Sequence, residues 1–265
     1  MNGKKVYFIS DLHLGLPTNP KSLIREKLLV NLLDEIKINA HTIYFVGDVF
    51  DFWWEYKYVV PKGFIRFLGK IAELTDAGIK INFFTGNHDV WMKSYLTDEI
   101  GVKILHREIS IDIAGKKFFI AHGDGLGPGD TGYKILKKIF TNRFLQWCYS
   151  RLHPNFSFQI ANSWSKNRRK KEKYIEFKGE SELLIQFAKE KLTIEHFDYF
   201  IFGHRHFPAI IDLKPNSKYI NIGDWLINFT YVEFDGTEIK QYTYKKGISE
   251  IYKTDLSVRK NLDIF

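Results

Sequence analysis

Residues 5–13 read KVYFISDLH, a short apolar run from Lys5 to Ser10 that ends on Asp11 and, two positions later, His13. Four later segments repeat this plan. Thr42–Val46 (TIYFV) leads into Gly47-Asp48, and Lys80–Thr85 (KINFFT) into Gly86-Asn87-His88-Asp89. Lys117–Ala121 (KFFIA) leads into His122-Gly123-Asp124, and Asp198–Phe202 (DYFIF) into Gly203-His204-Arg205-His206. Each run is rich in β-branched and aromatic residues and stops at a small or polar one, which predicts a buried strand. Helix-like stretches separate the first three. Pro20–Asn39 carries Leu23, Ile24, Leu28, Leu32, Leu33 and Ile36 at helical spacing, and Pro61–Ala77 closes on Gly78. Strand alternating with helix predicts a layered α/β fold.

Beyond Ala121 the rhythm changes. Thr131–Glu190 reads mostly helical, with aromatic and basic residues mixed, and is expected to form an insertion or cap at about 131–190 on a single domain spanning 1–265. Ile210–Leu213, Lys218–Ile222, Trp225–Glu233 and Thr237–Tyr244 read as strands punctuated by Gly or Asn, an antiparallel-looking C-terminal half. No internal repeat and no low-complexity segment is visible.

Composition narrows the class. With 265 residues, 45% of them hydrophobic and 26% charged, the chain is that of a soluble globular protein, and disorder as the dominant state is excluded. A disulfide scaffold is excluded because Cys148 is the only cysteine, which fits a reducing compartment. No secretory signal is read at the start, and no stretch approaches the ~18 apolar residues of a membrane span. The formal charge of +8 suits a polyanion, an anionic membrane face or a phosphorylated substrate, and serves general solubility equally well.

The strand ends carry the chemistry. Carboxylate, imidazole and amide form the ligand set of Mn²⁺, Fe²⁺ or Zn²⁺. Strand C-termini are where α/β folds place their sites. A lone Asp-x-His or His-x-His is weak, since a buried hydrogen-bonded His or a turn Asp explains each singly. Five such blocks, each directly after a strand, are a strong signal.

The series DLH, GD, GNHD, HGD and GHRH resembles that of the calcineurin-like metallophosphoesterase superfamily, over about Val6 to Asp224. The resemblance implies a β-sandwich flanked by helices. It also implies two divalent ions, manganese being expected, with one held by Asp11, His13, Asp48 and His206. The second would be held by Asp48, Asn87, His122 and His204, with Asp48 bridging. Two such ions about 3.5–4 Å apart clamp a phosphoryl group and acidify a bridging water, whose hydroxide attacks phosphorus in line. Asp89 is read as a carboxylate that orients an imidazole, and Asp124 as a weaker candidate for the same task.

Within the superfamily, Ser10–Gly15, the block Gly47–Trp53 and the helical insertion resemble the UDP-2,3-diacylglucosamine pyrophosphatase family of lipid A biosynthesis. That family cleaves its substrate to UMP and 2,3-diacylglucosamine 1-phosphate. Its polar substrate contacts match Asp130, Ser163, Asn167 and Lys170, alongside His204. Ser163, Asn167 and Lys170 fall at i, i+4 and i+7, one face of a helix, although a solvated polar face in the basic run Lys166–Lys173 explains them equally. Phe50, Phe52, Trp53 and Trp54, with Phe140, Phe144 and Trp147, could line an acyl crevice or form ordinary core. A basic insertion beside such a crevice would dock an anionic bilayer. The expected setting is therefore cytoplasmic and peripheral to the inner membrane. No nucleic-acid module is read, and the oligomeric state is not legible.

One position departs from the pattern. The pyrophosphatase family carries Arg where this chain has His88. General phosphodiesterases carry His there and use it to protonate the leaving group. Asn87 and His88 are thus catalytic candidates, with His88 also a phosphate contact. The alternative is a phosphodiesterase or nucleotide pyrophosphatase with a soluble substrate. A metal-bearing scaffold is a further reading, disfavoured by intact Asn87 and His88.

Overall fold

The structure is a computed structural model that describes residues 3–16, 19–129, 131–169, 174–213, 216–257 and 260–261. Its elements, in order, are β1 (Lys5–Ile9), α1 (Asn19–Ile36), β2 (Ala40–Val46), α2 (Ile65–Asp76), β3 (Lys80–Phe84), α3 (Tyr95–Ile100) and β4 (Lys103–Leu105). Then come β5 (Ile109–Ile113), β6 (Lys116–Ala121), α4 (Thr131–Thr141), α5 (Arg143–Tyr149), α6 (Pro154–Arg169) and β7 (Tyr174–Ile175). The chain continues through α7 (Leu183–Leu192), β8 (Tyr199–Phe202), β9 (Ala209–Leu213), β10 (Ser217–Asn221), β11 (Thr230–Phe234), β12 (Ile239–Lys245), β13 (Ile248–Ile251) and β14 (Lys260–Asn261).

A seven-stranded sheet runs β13-β12-β11-β1-β2-β3-β4 and a five-stranded sheet runs β5-β6-β8-β10-β9. Strand alternation divides the core into layers. Val6, Phe8, Tyr44, Val46 and Phe84 face Phe118, Ile120, Ile201 and Ile220 across the inter-sheet space. Tyr7, Ile9, Ile43, Phe45 and Phe83 point the other way, onto Leu29, Leu32, Phe67 and Ile71 of α1 and α2. Phe119, Phe200 and Phe202 turn their side of the second sheet onto Leu184, Ile185 and Ala188 of α7. The result is the expected β-sandwich flanked by helices. Both faces of the central strands are covered, so they read as continuous apolar runs rather than alternating ones.

The β1–β2–β3 pairings are parallel, and so are β6–β8 and β8–β10. The C-terminal half is therefore mixed rather than antiparallel: β9 and β11–β13 pair antiparallel, but β10 does not pair so with β8. The expected strand from Trp225 begins only at Thr230. Asp224 Oδ1 accepts the backbone N–H groups of Leu226, Ile227 and Asn228 at 2.7, 2.6 and 3.1 Å, which winds Trp225–Asn228 into a turn. The stretch 131–190 holds α4 and α5, with no fully buried residue in either, then α6, and finally α7, whose apolar side is part of the sheet core.

Candidate metal centre and active site

Because the two sets of parallel strands end on the same edge of the sandwich, the five blocks converge. His13 Nε2 and His206 Nε2 lie 3.3 Å apart. Asp11 Oδ1 lies 3.2 Å from His206 Nε2 and 3.8 Å from His13 Nε2. Asp48 Oδ2 faces two imidazoles, at 3.7 Å from His13 Nε2 and 3.4 Å from His122 Nε2, while its Oδ1 accepts the backbone N–H of His88 at 2.8 Å. Asp11-His13-His206 and Asp11-Asp48-His122 each bring three possible donor atoms within 4.8 Å of one another.

Backbone strain concentrates here. Of the non-glycine residues with left-handed φ, five are Asp11, His13, Asp48, His204 and His206, at φ between 42° and 65°. Such a conformation is uncommon outside glycine and persists where the surroundings over-determine it, as functional sites do. Glycines supply the closeness. A Cβ on Gly47 would meet His122 Nδ1 at 2.3 Å, one on Gly86 would meet Asp48 Oδ1 at 2.2 Å, and one on Gly203 would meet Ser10 Oγ at 2.0 Å.

The cluster suits divalent ions. Asp11 Oδ1, Asn87 Oδ1 and His122 Nε2 are buried with no hydrogen-bond partner among the described residues, and orphaned buried polar atoms are rare unless a ligand satisfies them. Val46 O lies 2.8 Å from His122 Nδ1. A carbonyl only accepts, so Nδ1 carries the proton and Nε2 is left with its lone pair for a metal. Burial, then the neighbouring His122, push His204 down to about 3, which keeps its imidazole neutral. Burial opposes ionising Asp11 and Asp48, but the surrounding imidazoles outweigh it and hold both carboxyls well below the usual range.

Neighbours fix this constellation. Ser10 Oγ lies 2.6 Å from Asp11 Oδ2, which also accepts the backbone N–H of His204 at 2.9 Å. From α1, the buried Arg25 guanidinium donates to the carbonyls of Leu12 at 2.7 Å, His13 at 3.2 Å and Trp225 at 3.3 Å, and to Leu16 O. Its desolvation lowers it to about 10, and Asp224 and Asp51 oppose that fall.

Four carboxylates take other roles than the sequence suggests, or were missed by it. Asp89 does not orient an imidazole. Its oxygens accept the backbone N–H groups of Gly86, Val49 and Phe50 at 2.8, 2.8 and 3.3 Å, tying the second and third blocks together. The carboxylate beside the imidazoles is Asp51, whose Oδ1 lies 3.5 Å from His13 Nδ1 and 3.4 Å from His88 Nδ1; its carbonyl accepts from His88 Nδ1 at 3.0 Å. Asp224 lies 3.9 Å from His206 Nδ1. Asp124 ties the cap to the centre instead, accepting from Tyr133 Oη at 2.5 Å and Lys137 Nζ at 2.7 Å. For His88, burial opposes protonation, but Asp48 and Asp51 outweigh it and raise the imidazole to about 9.

An apolar cavity of about 340 Å³ opens beside this centre, walled by Asn87, His88 and Asp51 on one side and by Phe52, Trp54, Trp91 and the cap on the other. The cap contributes Leu136, Ile139, Phe140, Leu145, Tyr149 and Ile160. Of the aromatics expected at a crevice, Phe52, Trp54 and Phe140 line it. Phe50 and Trp53 belong to the core below α1 and α2, and Phe144 and Trp147 are exposed on the cap surface. Ser163 lies on α6 and is exposed; Asp130, Lys170 and the side chain of Asn167 fall outside the described residues. No helix among the described residues is long and apolar enough to cross a membrane.

Known proteins place this arrangement. A UDP-2,3-diacylglucosamine hydrolase of Porphyromonas gingivalis is 40% identical over 251 residues, covering 89% of this chain and 95% of that protein. Proteins of the same name from Actinobacillus succinogenes and a Shewanella species are 29% and 28% identical, over 83% and 91% of this chain and 92% and 98% of theirs. The profile of the calcineurin-like phosphoesterases matches residues 4–208, which include all seven of the strand-end donors. This chain belongs to the calcineurin-like phosphoesterase family.

Proposed function

We propose that the protein hydrolyses the diphosphate of UDP-2,3-diacylglucosamine, giving UMP and 2,3-diacylglucosamine 1-phosphate. The observation that carries the reading is the contact of two unlike compartments: the apolar cavity shares Asn87, His88 and Asp51 with the donor cluster. A phosphoester held at the donors therefore places one substituent directly against hydrocarbon walls. The names of the similar proteins support the same substrate.

In this reading Asp11, His13, Asp48 and His206 hold one divalent ion, and Asp48, Asn87, His122 and His204 the other. The position of Asp48 Oδ2 between His13 and His122 supports its bridging role. Two manganese ions bound there supply electrostatic clamping of a phosphoryl group and an acidified water. The chain's own part is positional. Asp51 and Asp224 place negative charge beside His13 and His206, at 3.5 and 3.9 Å from their Nδ1 atoms, Ser10 and the His204 amide fix Asp11, and Arg25 pins the loop that carries Asp11 and His13. His88, with Nδ1–H directed to the Asp51 carbonyl, contacts phosphate oxygens. Asp130, Ser163, Asn167 and Lys170 contact the sugar and phosphate.

The cap takes the acyl chains and docks the protein on the anionic inner-membrane surface from the cytoplasm. Exposed Phe144 and Trp147 stack at 6.2 Å between ring centroids, and Arg151 lies over Trp147 at 5.0 Å, a pairing suited to a bilayer interface. The test is an Mn²⁺-supported activity panel of UDP-2,3-diacylglucosamine, diadenosine polyphosphates, cyclic nucleotides and a chromogenic phosphodiester. Turnover led by the diacylated UDP-sugar supports the proposal. Preference for a soluble ester would assign the phosphodiesterase or nucleotide pyrophosphatase activity that His88 resembles.

A further inference from the structure

A second, larger hollow of about 1070 Å³ meets the centre from the other side. It reaches the donors at His122, runs past Asp124, and lies between α4 of the cap and the segment from β3 to β5. The apolar cavity, in contrast, meets the centre at Asn87 and His88. The two hollows adjoin at Trp91 and Gln146, and each also opens onto the donor cluster, one at Asn87 and His88 and the other at His122.

Their linings are chemically opposite. The larger hollow is lined by Lys93, Arg107, Lys134, Lys137, Lys138 and Arg143 against two carboxylates, Glu108 and Asp124. Some of that charge is committed: Lys137 pairs with Asp124 at 2.7 Å, and Lys134 donates to the Gly127 carbonyl at 2.9 Å. Arg107, Lys138 and Arg143 form no ion pair among the described residues, although each lines the same wall system. Their positive field is therefore available to an anion, and the hollow is roomy enough for a nucleotide, since small-molecule sites span about 300–1,000 Å³.

We propose that this cationic groove seats the nucleoside monophosphate half of the substrate, with Arg107 and Lys138 on its phosphate and ribose. The inference rests on the proposed substrate, which carries hydrocarbon on one side of its diphosphate and a nucleotide on the other. With the acyl chains in the apolar cavity and the diphosphate over the donors, the nucleotide leaves through the groove at His122. Specificity for a UDP-sugar over a bare lipid phosphate then arises in part from these cations.

The test is calorimetric titration of the Mn²⁺-loaded protein with UMP, and separately with inorganic phosphate. Wild type, Arg107→Gln, Lys138→Gln and the double variant are compared. UMP is expected to bind more tightly than phosphate. The double variant should lose roughly tenfold or more of its UMP affinity, as the loss of charge-assisted contacts implies, while inorganic phosphate, which has no ribose to contact, loses less. With the diacylated substrate, kcat/KM should fall in step with UMP affinity. Equal UMP affinity in wild type and double variant overturns the proposal. So does loss of binding to phosphatidylglycerol vesicles with UMP binding intact, which makes the groove a membrane dock. UMP binding that is lost in the double variant, in a protein inactive on the diacylated substrate, retains the nucleotide seat and refutes the lipid reading instead.

Discussion

Gly86→Ala adds one methyl group at the most constrained point of the centre. A Cβ there would lie 2.2 Å from Asp48 Oδ1 and 2.6 Å from Asp48 N, where ordinary contact starts near 3.4 Å. The carboxylate or the Gly86 backbone must therefore retreat by about an ångström, and Asp48 Oδ2 lies 3.7 Å from His13 Nε2 and 3.4 Å from His122 Nε2. The φ of Gly86 is not in the left-handed region, so the effect is steric rather than conformational. Misplacing a reacting group by about 1 Å costs on the order of 10²-fold in rate, and overpacking destabilises a core by roughly 1–3 kcal/mol. Turnover with saturating Mn²⁺, bound metal by elemental analysis and Tm are measured together. The expected result is a loss of about 100-fold in turnover with reduced metal content, in a protein that still melts cooperatively. Gly69→Ala, inside α2 with nothing within 4 Å of the added carbon, is the matched control. It should gain roughly 0.5–1 kcal/mol, because glycine is costly in a helix. Wild-type turnover and metal content in Gly86→Ala would refute the placement of Asp48 at the heart of the centre.

His88→Arg should keep much of the activity on UDP-2,3-diacylglucosamine, whose leaving group is a weakly basic phosphate. It should lose most of its activity on an alkyl phosphodiester, up to about 10²–10⁴-fold, the usual worth of general-acid help. Collapse on both esters in parallel kinetic assays makes His88 an essential acid. Leu136→Gln places an amide in the apolar cavity. Losing the burial of one such side chain, worth about 1.5–3 kcal/mol, should raise KM for the diacylated substrate by roughly 10–100-fold; an unchanged KM would mean that the acyl chains bind elsewhere. In the turn between β11 and β12, the backbone N–H groups of Glu238 and Thr237 hold the Asp235 carboxyl down at about 2, below its ordinary 3.8. A depressed carboxylate stabilises the fold above its ordinary pKa, and that contribution disappears as pH falls through about 2. Asp235→Asn should therefore lower Tm at pH 7 by about 1–3 °C, with the gap to wild type closing between pH 4 and pH 2. A pH-independent gap in the melting series would contradict the assignment.

The strand-end donors were legible because each follows an apolar run that both neighbouring layers bury, and a carboxylate or imidazole at the end of such a run stands out. Asp224 carries the same signal, Ile222-Gly223-Asp224 after a strand, and repeats the Val46-Gly47-Asp48 pattern. It was masked by the apolar stretch that follows, which looks like a strand but winds into a turn on the Asp224 carboxylate. Asp51 was hidden among Phe50, Phe52 and Trp53, and its role depends on His13 and His88 arriving from other strands. Arg25 stands on the same face of α1 as the buried Leu29, Leu32 and Leu33, where a cation has no local explanation, and only the loops brought over α1 supply the carbonyls that satisfy it. Likewise, nothing local separates Phe52 and Trp54, which wall the cavity, from Phe50 and Trp53, which pack under the helices.

The most direct test titrates Mn²⁺ into metal-free protein while following UMP release from UDP-2,3-diacylglucosamine. Activity should rise from none and saturate at two ions per chain, with UMP and 2,3-diacylglucosamine 1-phosphate formed in equal amounts. Saturation at one ion, or no UMP at any occupancy, would contradict a two-metal diphosphate hydrolase.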